Sequence, residues 1–208
     1  MNEPKNTREV ILHTKHYVFG ETLDYGAGTA KYQGLVRPHA STYTTFDMVA
    51  GEHIDIIGDV LKPPFADASF DTIISTQVLE HVERPWVMVA EMNRILRPGG
   101  VCIVTAPFMI PYHADPYDFF RYTTEGLKSL FKNENFEVIE SGTYGKSFAV
   151  FSEMVHFIFF NPYNIKKKNV WALRVMRRVE RVAGFFDRFV KNKIIYPNVY
   201  IVVRKNKS

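Results

Sequence analysis

The sequence predicts a doubly wound α/β fold with a Rossmann-like, seven-stranded, mostly parallel sheet. Three observations predict it. Short apolar, β-branched runs alternate with helix-compatible segments along most of the 208 residues. The run TLD at 22–24 ends in an acid, and Gly26 and Gly28 follow at alternate positions, as where a parallel strand turns sharply into a helix. A second acid, Asp47, ends the strand-like STYTTF nineteen residues past Gly28.

The elements follow in order. Residues 6–19 suit a short leading helix, and strand one covers 21–25. The helix after Gly28 is short because Arg37-Pro38 interrupts it. Strand two runs over 42–46, ending at Asp47, and HIDII at 53–57 reads as strand three. FDTIIS at 70–75 is apolar and β-branched, as buried parallel strands are. Trp86, Val89, Met92 and Leu96 recur at helical spacing, and Pro98-Gly99-Gly100 ends that helix before strand five at 101–106. Thr123 or Thr124 can cap a helix reaching Phe131. Strand six covers 136–140 and the last strand 198–203. In such sheets a ligand sits at the carboxyl ends of the parallel strands.

Composition bounds the rest. Hydrophobic content of 46% with 23% charge is that of an ordinary globular chain, and its length suits one domain over 1–208. Cys102 is the only cysteine, which excludes a disulfide framework and a cysteine-based zinc site. MNEPKNTREV has no apolar signal core, and no apolar run reaches spanning length, so a cytoplasmic location is expected. The net charge of +4 hides a split. Residues 1–160 hold 13 Lys and Arg against 20 Asp and Glu, a net of −7, whereas residues 161–208 hold 13 against 2, a net of +11. Nearly 60 residues separate strand six from the last strand, more than a crossover needs, so 147–193 is expected to be a helical insertion, apolar then basic.

Further motifs join the glycine loop. Asp59 lies in IIGDVLKPPF, SFDTIISTQVLEHV occupies 69–82, and RILRPGG occupies 94–100. This ordered set resembles the class I S-adenosylmethionine-dependent methyltransferases of the small single-domain type, over roughly residues 20–140 and the last strand. Ala30 stands where a third glycine is common in that family, and Lys62-Pro63-Pro64-Phe65 replaces its Leu-Pro-Phe. A nicotinamide dehydrogenase would want its third glycine at Lys31. The resemblance implies an antiparallel last strand inserted between the fifth and sixth. It also implies S-adenosylmethionine as cofactor. Asp24, Gly26, Ala27 and Gly28 would lie beneath the methionine part, and Asp47 would accept from the ribose hydroxyls. Asp59, with the Val60 backbone, would meet the adenine, and Gln77 would line the ribose–methionine side. The bland alternative is a tight turn for the glycines and helix-capping or turn acids for Asp47 and Asp59.

Methyl transfer to a hydroxyl needs alignment, exclusion of water and a base. His113 and His81 are the histidines that the predicted topology brings to the strand ends, and both are catalytic candidates. Around His113, residues 107–127 offer Tyr112, Tyr117 and Arg121 as acceptor-binding groups. The pattern P-x-H-x-x-P-x-D-x-x-R-x-T there is similar to a run in small methyltransferases associated with bacterial cell-surface glycans. Structural alternatives are a loop histidine bonded to Asp115 or Asp118, a capping His81 bonded to Glu80, and an Asp118–Arg121 ion pair. No metal is expected, because His113, Asp115 and Asp118 form a loose ligand set.

The basic stretch 161–193 leaves three readings open: packing on the domain, contact with an anionic membrane surface at the inner face, or nucleic-acid binding. Ser75-Thr76-Gln77-Val78 replaces the acidic-aromatic tetrad of many nucleic-acid enzymes, which argues against base methylation. The expected activity is methyl transfer, chiefly to oxygen, on a small-molecule or saccharide acceptor, including a lipid-linked one. The alternatives are an RNA or protein methyltransferase using the basic segment, and a non-catalytic methyltransferase-like subunit.

Overall fold

A computed structural model describes residues 4–148, 150, 151, 154, 182, 185 and 195–207. The apolar run from 147 and the basic stretch 161–193 lie almost wholly outside the described residues, and with them the expected helical insertion.

Seven strands form one sheet: β1 (Glu21–Tyr25), β2 (Thr42–Asp47), β3 (Ile56–Ile57), β4 (Phe70–Thr76), β5 (Leu96–Pro107), β6 (Phe136–Tyr144) and β7 (Asn198–Lys205). Their order is β3-β2-β1-β4-β5-β7-β6. The first five are parallel, and β7 runs antiparallel between β5 and β6. The sheet is the Rossmann-like, mostly parallel seven-stranded arrangement expected, with its antiparallel strand between β5 and β6.

Helices cover both faces. Buried side chains of α3 (Pro85–Ile95) and α4 (Thr124–Asn133) join Leu23, Tyr25, Ile73 and Ile201 in the larger core. Ile11 of α1 (Thr7–Thr14) and Val36 of α2 (Gln33–Val36) join Ile74, Ile103 and Val202 in a second core. The central strands are therefore apolar on both sides, which is why they read as continuous hydrophobic runs. Thr123 caps α4, its side chain accepting from the Gly126 N–H.

The leading helix is shorter than expected, Thr7–Thr14, the last strand runs on to Lys205, and three further bounds differ for clear reasons. β3 has only two residues, because the Asp55 side chain bonds the Thr45 N–H and hydroxyl at 2.8 and 2.9 Å where a longer ladder would run. β5 begins at Leu96, since the chain leaves α3 directly in extended form and pairs with Phe70 before a register shift. β6 extends to Tyr144, because β7 pairs with it as far as Asn198.

Candidate cofactor and acceptor site

Each expected cofactor residue follows the carboxyl end of a parallel strand. Gly26 and Gly28 leave β1 with φ of 80° and 57°. The Gly26 and Ala27 N–H groups donate to the Phe46 carbonyl at 2.9 and 3.1 Å, folding the loop onto the end of β2. A Cβ at Gly26 would lie 2.5 Å from Val78 Cγ2, whereas one at Gly28 would meet nothing within 4 Å. Gly26 thus serves packing, and Gly28 faces open space. Ala30 takes the left-handed φ of 50° that its glycine counterpart would adopt freely.

Asp47 ends β2 and ties the two loops together. Its Oδ2 accepts from Gly28 N at 2.8 Å and its Oδ1 from Val49 N at 2.9 Å. Asp59 is exposed and accepts from Leu61 N at 2.8 Å, an Asx turn, while the Val60 carbonyl accepts from the Tyr25 hydroxyl at 2.6 Å. Both carboxylates keep lone pairs for ligand hydroxyl or amino donors. Met48, Val49 and Ile57 expose apolar side chains between these two acids. The sequence reading passed over them, although an apolar pair directly behind Asp47 was a visible signal.

Asp24 is buried and accepts from the Tyr43 hydroxyl. Burial pushes its carboxyl up to about 6, with the Asp47 charge adding and Tyr43 opposing. Gln77 has a left-handed φ of 57°, and its side-chain amide reaches Tyr144 Oη at 3.0 Å and Thr105 Oγ1 at 3.3 Å. The cradle fits a nucleoside sulfonium cofactor: an open glycine, carboxylates that end β2 and follow β3, exposed apolar side chains in the segment between them and no P-loop Lys-Ser/Thr.

Beside it lies a second constellation. The turn after β4 carries Glu80 and His81, and residues 107–122 fold over it. The Phe119 and Phe120 N–H groups donate to the Glu80 carbonyl, and the Tyr122 hydroxyl donates to Leu79 O. This brings His81 and His113 edge to face, with ring centroids 5.1 Å apart. Each Nε2 lies 3.7 Å from Glu80 Oε1. Glu80 is 0% exposed, and neither of its carboxylate oxygens has a hydrogen-bond partner. The facing Glu80 carboxylate, then the Pro111 carbonyl and Asp118, raise the His113 pKa against the opposing effect of burial. Glu80 was visible in the sequence only as a neighbour of His81; its burial depends on the packing of 107–122.

Asp118 and Arg121 form an ion pair inside this segment. Burial alone would raise the Asp118 carboxyl, but hydrogen bonds from Arg121 and from His113 N hold it at about 2. Arg121 also donates to the carbonyls of Ile110, Pro111 and Phe120. Its donors hold the segment's shape around His113. Asp115 is outside the Glu80–His81–His113 group; its N–H donates to Tyr117 O, the carbonyl that His81 Nδ1 also contacts. Tyr112, Tyr117 and Phe119 are exposed at 61%, 64% and 43%, and the Tyr117 and Phe119 rings lie 5.7 Å apart.

Residues 23–104 match the family model of a methyltransferase domain. An uncharacterized methyltransferase of Mycobacterium avium is 52% identical over 42 residues, 20% of this chain and 17% of the relative. One of Mycolicibacterium vanbaalenii is 40% identical over 67 residues, 32% of this chain and 25% of the relative. The chain therefore matches well under two thirds of the length of these relatives. Among solved structures, the [4+2]-cyclase SpnF is similar with a TM-score of 0.64 at 17% identity, over 97% of this chain and 81% of that one. The 1,6-didemethyltoxoflavin-N1-methyltransferase of Burkholderia thailandensis, solved with its substrate and S-adenosylhomocysteine, gives 0.61 at 14% identity, over 97% and 77%. Such identities establish the fold alone. That one of these neighbours is a cyclase shows that the fold does not fix the reaction.

Proposed function

We propose that this chain, whose residues 23–104 match the model of a methyltransferase domain, is an S-adenosylmethionine-dependent methyltransferase acting on an oxygen of a small-molecule or saccharide acceptor. The observation that carries this reading is that two groups follow the carboxyl ends of neighbouring parallel strands: the open Gly28–Asp47–Asp59 cradle after β1, β2 and β3, and the Glu80–His81–His113 cluster after β4 and β5. When bound, the cofactor supplies an electrophilic methyl carbon. The chain's own residues do the rest. Asp47 and Asp59 accept from the ribose and adenine, with Val60 beside them. Met48 and Val49 give the purine an apolar wall. Asp24, Gly26, Ala27 and Gly28 hold the methionine end, and Gln77 lines it. Tyr112 and Tyr117 offer stacking faces that suit a sugar ring. His113, with His81 beside it, takes the acceptor hydroxyl's proton, and the buried Glu80 carboxylate favours the imidazolium that forms. Arg121 keeps the segment in place.

His113→Ala should lower turnover on an accepted substrate by about 10²–10⁴-fold while leaving S-adenosylhomocysteine affinity nearly unchanged. Methyl transfer followed with radiolabelled cofactor, beside a binding titration, checks both. Undiminished turnover removes His113 from the chemistry.

The charge split supports a second element of the proposal, a lipid-linked acceptor met at an anionic inner membrane face through 161–193. Among the described residues no helix is long and apolar enough to cross a membrane. Salt-sensitive co-sedimentation with vesicles containing anionic lipid, absent with neutral vesicles, is the expected result. A salt-sensitive gel shift of RNA without vesicle binding would favour the RNA reading instead.

A further inference from the structure

Glu80, His81 and His113 place three ligand atoms within 4.8 Å of one another. The hydrogen bonds around the two rings fix what those atoms are. His81 Nδ1 lies 2.6 Å from the Tyr117 carbonyl, and His113 Nδ1 lies 3.0 Å from the Pro111 carbonyl. A carbonyl oxygen only accepts, so each Nδ1 carries the proton. Arg121 Nη2, 3.4 Å from His113 Nδ1, already donates to Pro111 O and Asp118 Oδ2, so it does not compete for that role. In neutral imidazoles both Nε2 atoms then present lone pairs, and both face Glu80 Oε1.

Three acceptors converge on one point beside a carboxylate with 0% exposure and no hydrogen bond. The two carboxylate oxygens of Glu80 are buried and accept no hydrogen bond, so nothing among the described residues compensates them. Something positive belongs between these atoms. A single proton would draw one ring into hydrogen-bond contact with Glu80, yet both stand at the same 3.7 Å. The pattern is instead that of metal-ligating histidines, whose second nitrogen donates to a backbone carbonyl and fixes the ring.

We propose that Glu80, His81 and His113 bind a divalent first-row transition cation of the zinc type. Two imidazoles and one carboxylate suit zinc and leave a fourth position open. With ligand bonds of about 2.0–2.2 Å, each Nε2 has only a few tenths of an ångström to close toward Glu80 Oε1 from its present 3.7 Å. Magnesium, which prefers oxygen donors, fits the set less well. The ligand set differs from a His113–Asp115–Asp118 grouping, because Asp118 is taken by Arg121 and the Asp115 carboxylate is not among the converging ligand atoms. The site's existence does not depend on methyl transfer; its use rests on the proposed function. There the open position takes an acceptor hydroxyl and lowers its pKa so that its proton leaves to bulk water; His113, with Nε2 then held by the cation, serves as the base only in the metal-free protein.

The test is calorimetric titration of the full chain, freed of metal with a chelator, with zinc chloride, and the same titration of Glu80→Gln and His113→Asn. One equivalent bound with micromolar or tighter affinity, weakened at least about 100-fold in both variants and unchanged in His13→Asn, is the expected result. No saturable binding, or binding equal in wild type and variants, overturns the proposal. Thermal unfolding checks that each variant folds. If Glu80→Gln does not, His81→Asn and His113→Asn, with side chains only partly buried, carry the comparison. Titration of the metal-free protein with S-adenosylhomocysteine reads the cofactor site separately, so failure of one reading is distinguishable from failure of the other.

Discussion

Gly26 and Gly28 sit two residues apart in one loop and are needed for different reasons. At Gly26 a methyl group would strike Val78, whereas at Gly28 it would enter open space. Gly26→Ala should therefore destabilise the fold by about 2–4 kcal/mol through combined clash and left-handed strain. Gly28→Ala should cost only about 1–2 kcal/mol of stability yet sharply weaken cofactor binding. Denaturant unfolding beside a cofactor titration separates the two; equal effects on both properties would contradict the division. Asp24 supplies a pH prediction. Its folded-state value of about 6 exceeds the ordinary 3.8, so the folded protein holds this proton longer than the unfolded chain. This group's contribution to stability falls as pH rises from about 4 to about 6 and is flat above, by up to about 3 kcal/mol. Asp24→Asn should flatten that part of the stability profile. A bound cation, such as a cofactor ammonium, would draw the value back down, so cofactor affinity should rise over the same window. A pH-independent affinity between 5 and 7 would separate Asp24 from the cofactor.

At the scale of elements, the segment 107–122 decides whether the acceptor site exists. Arg121 holds it by pairing with Asp118 and by closing three backbone carbonyls. The Asp118 side chain is 1% exposed, so Arg121→Ala would strand a buried charge and should cost about 3–5 kcal/mol, or release the segment. Arg121→Lys should restore little, because an ammonium cannot reproduce the planar fork. Hydrogen exchange confined to 107–122 would show the release; a variant as stable and as protected as the wild type would refute this role. The segment's chemistry was legible in the sequence from its density of Tyr, His, Asp and Arg. Its architecture was not. The contact of Phe119 and Phe120 with the Glu80 carbonyl spans some 40 residues and leaves no periodic trace. The parallel strands were easier to read, since burial on both faces makes them uniformly apolar. β3 was overestimated because a side chain, Asp55, closes its ladder.

Across the whole molecule, seven strands in the order β3-β2-β1-β4-β5-β7-β6 bring residues from four separate loops to one edge. That convergence gives Gly28, Asp47, Asp59 and Gln77 a common neighbourhood although 49 residues separate the first from the last. The place of β7 between β5 and β6 was expected from the resemblance of the motifs; alternation of strands and helices alone does not give it. Glu80 shows what sequence could not supply. A carboxylate beside a histidine is common, and only the closed fold reveals that this one is buried without a partner. The central claim is that the glycine loop and Asp47 form a working cofactor cradle. Calorimetric titration with S-adenosylhomocysteine, wild type beside Asp47→Ala, tests it most directly. The account predicts saturable micromolar binding, weakened in the variant by about 1–3 kcal/mol as the ribose hydroxyls lose their acceptor. Equal affinity in the two proteins, or no binding by folded wild type, would contradict it.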